Sequence, residues 1–419
     1  MSKEIFLTNK HTILSSGGVS YQDLYYSHMN SSASLVECTY SYARYTQSLS
    51  SLTFGSSSNI VVPNESFLGE TWLHMRLPPL VGNQTLCRGW GYGLIQEIKY
   101  IFGNSNSSQI TLSGASLFTA LCAQTKTEAK RSKLFLLGGD EKLIADGVAP
   151  EATILLPFPW SSACSKKDFD TSLLSNNIVI TITFKQDPRA IYGGSATPFN
   201  ALIEATVLFR QGDLSNKSLS LKTEMMRDPS LIYAYPLIHN QGFQSPPFAG
   251  QPEGSGLCNV VLNGFINSDL LNISFFIVKQ SDLAPSGGNS PSPFNMVDPQ
   301  NIRLEYNGTP LYVARGKSWK LFNMYGDNPP GDFKNSLIRP GNTGPFNSDP
   351  IECQPVYIDF SHERSACMPS HMFNTFRISN QTLNVYFNTP DSSNYILFAT
   401  YMYNGICECK AGSAYLYFD

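Results

Sequence analysis

"IVITITF", Ile178–Phe184, alternates Ile178, Ile180, Ile182 and Phe184 with Val179, Thr181 and Thr183. A helix would spread these apolar residues around its circumference, whereas a strand sends every second side chain to the same face. Period two in β-branched and aromatic residues therefore marks a half-buried strand. "TWLHMRL" (Thr71–Leu77) repeats the pattern, with Leu73, Met75 and Leu77 on one face and Trp72, His74 and Arg76 on the other. "TLNVYF" (Thr382–Phe387) sets Leu383, Val385 and Phe387 against Asn384 and Tyr386. "ALIEATVLF" (Ala201–Phe209) and "NISFFIVKQ" (Asn272–Gln280) are more continuously apolar, which predicts strands covered on both faces.

The chain around these strands has the composition of an all-β protein. Its 31 Gly and 26 Pro, with abundant Ser and Asn, supply turns between short apolar runs. At 419 residues it exceeds the usual reach of one core, so two domains are expected. Helical patterns are few: Ser113–Lys133, where Leu117, Leu121 and Cys122 share a face, and Gly316–Asp327. Both read as insertions between strands. Turn-rich stretches at Asn240–Gly256, Ala284–Gln300 and Gly326–Pro350 are long enough to be functional surfaces. A domain join fits the polar turn at Arg210–Ser218.

The halves also rhyme. "LIQEIKYIFGNS" (Leu94–Ser105) and "NIRLEYNGTPLYV" (Asn301–Val313) each carry a strand into a Gly/Asn turn. "IVITITF" followed by "ALIEATVLF" is answered by "TLNVYF" followed by "YILFATYMY". Pattern alone gives the chain two all-β domains of similar plan, which two consecutive eight-stranded jelly-roll sandwiches with short helical insertions and long loops would fit. Its expected divisions are an N-terminal arm at 1–20, a first roll at 21–212 and a second at 213–419.

Charge and motifs narrow the function. Charged residues are 15%, against about 25% in an ordinary globular protein. The net charge of −3, with no dense basic cluster near the N-terminus, argues against direct nucleic-acid binding. "KTEAKRSK" (Lys126–Lys133) is interrupted by Glu128 and reads as the polar side of a short helix. No apolar run suggests a signal peptide or membrane span, so a soluble, cytosolic product with reduced thiols is expected. No GxSxG, HExxH or phosphate-loop motif occurs. His362, Glu363, Cys367 and His371, with Cys353 upstream, match no structural zinc class. Cys407 and Cys409 would share a strand face, too far apart for a disulfide and lacking further metal ligands nearby in sequence. They read as small buried residues. No catalytic, cofactor or metal site is assigned, and enzyme activity is not expected.

"VECTYSYARYTQSLSSLTFGSSSNIVVPNESFLGETWLHMRLPPL" (Val36–Leu80) resembles the opening strands of a known family, the double jelly-roll major capsid proteins of large eukaryotic DNA viruses and their virophage and polinton-like relatives. "GWGYGLIQEIKYIFGNSNSSQITLSGASLF" (Gly89–Phe118) resembles its hairpin and helix start. "ATILLPFPWSSACSKKDFDTSLLSNNIVITITF" (Ala152–Phe184) resembles a segment running from an aromatic cluster into a strand. "FNTFRISNQTLNVYF" (Phe373–Phe387) and "ATYMYNGICECKAGSAYLYF" (Ala399–Phe418) are similar to its closing segments. The turns depart from the family pattern at Gly103–Asn104–Ser105, Phe158–Pro159–Trp160 and Arg377–Ile378–Ser379–Asn380, which indicates a divergent branch.

The resemblance implies a homotrimeric, pseudo-hexagonal capsomer that tiles the icosahedral shell of a double-stranded DNA virus. It implies minor capsid and penton proteins as partners, and an internal membrane reached through other proteins. The expected location is the virion, with assembly in the host cytoplasm or viral factory. The alternatives are a double jelly-roll scaffold of immature virions and a carbohydrate-binding β-sandwich protein.

Overall fold

The computed structural model describes residues 43–62, 67–102, 109–124, 137–139, 147–156, 169–171, 174–194, 200–212, 223, 227, 232–262, 269–283, 291–316, 318–320, 355–360, 373–374, 383–410 and 412–417. The first set of main strands is β1 (Ala43–Leu52), β2 (Ser57–Val62), β3 (Phe67–Arg76), β4 (Ile95–Ile101), β5 (Gln109–Leu112), β6 (Glu151–Leu156), β7 (Ile178–Phe184) and β8 (Ile203–Gly212). They form two antiparallel sheets, ordered β1-β8-β3-β6 and β2-β7-β4-β5. The second set is β9 (Ile232–Gln244), β10 (Cys258–Leu262), β11 (Asp269–Lys279), β12 (Gln300–Tyr306), β13 (Thr309–Ala314), β14 (Val356–Asp359), β15 (Leu383–Asn388) and β16 (Asn394–Lys410). These follow the same order, β9-β16-β11-β14 and β10-β15-β12-β13, with short two-residue strands added at the edges of β11 and β16.

In each set the first strand lies beside the last, and the second beside the second-last. That wrapping is the jelly roll, with two Greek keys closing on one another. The molecule is a double jelly roll.

Alternation puts the apolar residues inside. From one sheet of the first roll Leu73, Met75, Ile154, Leu156, Ala205 and Val207 face Ile60, Ile98, Tyr100, Ile180 and Ile182 from the other, all at most 3% exposed. In the second roll Ile273, Phe275, Ile277, Leu397 and Tyr401 meet Val260, Ile302, Leu304, Val385 and Phe387. The strands at Thr71–Arg76, Ile178–Phe184 and Leu383–Phe387 bury the residues their alternation predicts.

Two expectations need correction. "ALIEATVLF" is not covered on both faces: Ile203, Ala205 and Val207 are buried, while Glu204 is exposed and Thr206 and Leu208 are half-buried. Asn240–Gln244 is the end of β9 rather than turn, and Phe248–Ala249 pairs with Tyr395 and Asn394. The helix near Ser113 is an insertion between strands, as expected, and it is enclosed, as described below. Of the second helical pattern, only a turn at 318–320 lies within the described residues. The segments 1–20, Lys126–Lys133 and Gly326–Pro350 lie outside them.

The turn between β12 and β13 follows directly from its sequence. Asn307 (φ 52) and Gly308 (φ 75) both adopt left-handed backbone, so that Tyr306 pairs with Thr309. Two such residues in succession match the twist of a two-residue hairpin, and Asn-Gly is the pair that tolerates it best. Gly308→Val should cost about 1–2 kcal/mol from the left-handed penalty alone. A lowered denaturation midpoint with an unchanged circular dichroism spectrum would confirm this, and an unchanged midpoint would refute it.

Candidate functional site: the seam between the rolls

The candidate site is the seam joining the two rolls, across which one hydrophobic core is continuous. It starts with α1 (Trp90–Leu94) and α2 (Gly114–Gln124), both in the first half. Ser113 opens α2: its hydroxyl accepts from the Ser116 amide at 3.1 Å and its carbonyl from the Leu117 amide at 2.9 Å. Ser116, Leu117, Phe118, Thr119 and Ala120 are each at most 2% exposed, so this part of α2 has no wet side. The Thr119 hydroxyl is satisfied within the helix by the Ala115 carbonyl at 2.8 Å. An amphipathic surface helix would not look like this.

Aromatic rings close the seam. Phe118 stacks on Phe294 with centroids 4.3 Å apart and meets Phe276 edge-on at 6.3 Å. Tyr92 packs edge-on against both Phe118 (5.8 Å) and Phe294 (6.4 Å), and Phe276 stacks on Phe398 at 5.2 Å. Each such pair adds about 0.5–1.5 kcal/mol beyond the area it buries. Leu271, Phe276, Val278, Tyr357 and Met402, from the outer face of the second roll's sheet, belong to the same continuous core as the interior of the first roll.

Close approach explains the glycine in β9. A Cβ on Gly242 would sit 2.0 Å from the Ser116 hydroxyl, so α2 lies directly on the strand there. "NQG" reads as a turn in sequence because glycine is required here for contact, a reason invisible without the partner helix.

The carboxyl end of β16 ties in from the other side. Cys407 and Cys409 are fully buried in the shared core, as their strand placement predicts, with Ala414 and the half-buried Leu416 of the following strand, Ser413–Tyr417. The Ser175 amide, just before β7, donates to the Gly412 carbonyl at 2.7 Å. Burial pushes the Cys87 thiol up to about 12 and raises that of Cys258. Among the described residues no cluster of three His, Cys, Asp or Glu is placed to hold a metal ion. Cys353, His362, Glu363, Cys367 and His371 lie outside them. Among the described residues no helix is long and apolar enough to cross a membrane.

Two polar nodes, neither expected from sequence, fasten the second roll's loops. The Asn388 amide nitrogen donates to the carbonyls of Gln251, Pro252 and Gly256, while its oxygen accepts from Asn301 at 3.0 Å. Asp391 accepts from Lys279 at 2.6 Å and from the Tyr395 hydroxyl at 2.7 Å. These partners, Lys279 foremost, hold its carboxyl well below the usual range.

No protein-family model matches the sequence, and no curated protein does either. The fold, however, matches solved capsid structures. The quasi-atomic model of the PBCV-1 virus capsid superposes with a TM-score of 0.66 at 12% identity, covering 90% of this chain and 97% of that one. The Sputnik virophage structure gives 0.57 at 9% identity, covering 90% and 88%. The Faustovirus major capsid protein gives 0.52 at 9% identity, covering 96% and 97%. The likeness spans both rolls, and the chain shares the double jelly-roll fold of these capsid proteins.

Three outcomes test the seam and the contacts around it. Phe118→Ala should destabilise the protein by about 3–5 kcal/mol, read as a lowered midpoint in both rolls; an effect below about 1 kcal/mol would contradict the seam. A thiol reagent applied to native protein should leave Cys87, Cys258, Cys407 and Cys409 unlabelled by peptide mass mapping, with labelling only in denaturant. Because the Asp391 carboxyl is depressed on folding, its contribution is present above the ordinary carboxylate range and is lost progressively as pH falls from that range to the depressed folded value. Both partners of its ion pair are at least a third exposed, so the effect is below about 1 kcal/mol. Asp391→Asn should flatten this part of the stability-against-pH curve below about pH 4.

Proposed function

We propose that this chain is a viral major capsid protein, a structural component without catalysis. Three copies form a pseudo-hexagonal capsomer, and capsomers tile the icosahedral shell of a double-stranded DNA virus. The observation that carries this reading is the seam. Two rolls of the same topology are packed into one body through non-equivalent surfaces, so three chains present six similar walls. A weakly charged surface suits repeated contact among copies without strong repulsion.

On this reading the chain divides into an arm (1–20), a first roll (21–212) and a second roll (213–419). The end of β8 at Gly212 and the start of β9 at Ile232 support the second division. Its partners are other copies of itself, minor capsid and penton proteins, and, through those, an internal membrane. The genome is not contacted directly. The protein resides in the virion and assembles in the host cytoplasm or viral factory.

The test is solution mass by light scattering, with negative-stain images of the same species. A stable particle of three times 46.3 kDa with six-sided outlines is expected. A chain that stays monomeric across salt and pH would overturn the reading. Presence in purified mature virions is also expected; confinement to immature particles would identify a scaffold instead.

A further inference from the structure

The two rolls differ in how one equivalent face is covered. In the second roll the outward side chains of β11 and β16 pair as Asn272 with Met402, Ser274 with Thr400, Phe276 with Phe398, and Val278 with Ile396. Apart from half-buried Phe398, none is more than 7% exposed, because α2 of the first roll lies against this side. The equivalent strands of the first roll are β3 and β8, with β6 beside them. Their outward side chains form three rows: Leu155–Trp72–Leu208, Thr153–His74–Thr206 and Glu151–Arg76–Glu204. The first two rows are half-buried and the third is exposed. A row of leucine and tryptophan half open to water, at the position where its counterpart is buried except for half-buried Phe398, is an unfinished interface.

The part that covers this face in the second roll also has a counterpart. It consists of the edge strand β5 and the helix α2 that follows it; β5 packs beside β9. In the second roll the same places are held by the edge strand β13 and the helical turn at 318–320. Among the described residues β13 pairs only with β12, and Val313 on it is 53% exposed. The turn is pinned to its own roll by buried Trp319, whose indole donates to the Pro299 carbonyl at 3.0 Å, and by Lys320, 2.5 Å from Asp298.

We propose that the outer face of β3, β6 and β8 is the docking surface for a second copy of this chain. That copy's β13 edge and the turn after it cover the face as β5 and α2 cover the second roll within each chain. The occupant is a second copy because the two surfaces left over from the intrachain contact are its two halves, one on each roll. A contact between unlike surfaces of the same chain repeats from copy to copy until it closes. The inference rests on the capsomer reading and specifies which surfaces make it.

Light scattering of full-length Leu208→Asp and Val313→Asp tests it, with Leu257→Asp as the control. Leu257 is 42% exposed and lies in the loop before β10, at the edge of the sheet opposite β13. The expected result is that each test variant dissociates to monomer at concentrations where the wild type is trimeric, an affinity loss of at least about tenfold, while the control stays trimeric. If Leu208→Asp melts, Thr206→Arg, on the next row of the same face, carries the same expectation. A cysteine pair at Thr206 and Val313 should in addition join copies through a short bismaleimide. Trimers that persist in every folded variant, with no such cross-link, would overturn this surface and leave the capsomer intact. A monomeric wild type would overturn the capsomer and this surface together.

Discussion

The structure depends on a sheet that has no side for water. β11 and β16 bury Ile273, Phe275, Ile277, Leu397 and Tyr401 inside the second roll, and Phe276, Val278 and Met402 outside it. Fully burying one such side chain is worth about 1.5–3 kcal/mol, so exposing this outer face would cost much of a domain's net stability. The first roll supplies the cover, with Phe118 and Tyr92 closing on Phe276 and Phe294. Relative motion of domains is the default where their interface is small and polar. Here one hydrophobic core runs across the seam, so the two rolls make one rigid double wall.

Duplication of topology gives that wall its repeat. Each roll uses the same strand order in both sheets, and each places its longest break between the fifth-equivalent and sixth-equivalent main strands, β5 to β6 and β13 to β14. In the first roll that break supplies α2, which fills the seam. A jelly roll leaves its inter-strand connections free to lengthen, because the sandwich is closed by its strands and not by its loops. An insertion can therefore become an interface without disturbing either sheet.

Much of this was legible in the residues. Period-two alternation located β3, β7 and β15 and assigned their buried faces correctly, because burial on one face is what alternation records. The rhyme between the halves reflected equivalent strands, β7 and β8 against β15 and β16. Cys407 and Cys409 were readable as buried small residues. What escaped depended on partners distant in sequence. β8 looked doubly covered because Leu208 is apolar, yet in one chain its outer side is only half-buried. α2 was legible as an insertion between strands but not as an enclosed one, because its Ser and Thr residues count as polar, although Thr119 bonds back to Ala115 and Ser116 to Ser113. Asn240–Gly242 looked like a turn because the demand for glycine comes from a helix more than a hundred residues earlier. The polar nodes at Asn388 and Asp391 left no signal, since single Asn and Asp residues are common in any loop.

The most direct test of the account is a cryo-electron microscopy reconstruction of the purified assembly at side-chain resolution. The account predicts a closed ring of six walls, three joined within chains by the Phe118–Phe294 stack and three joined between chains across the Leu155–Trp72–Leu208 row. A ring in which that row faces solvent, or an assembly in which the two rolls of one chain separate, would contradict it.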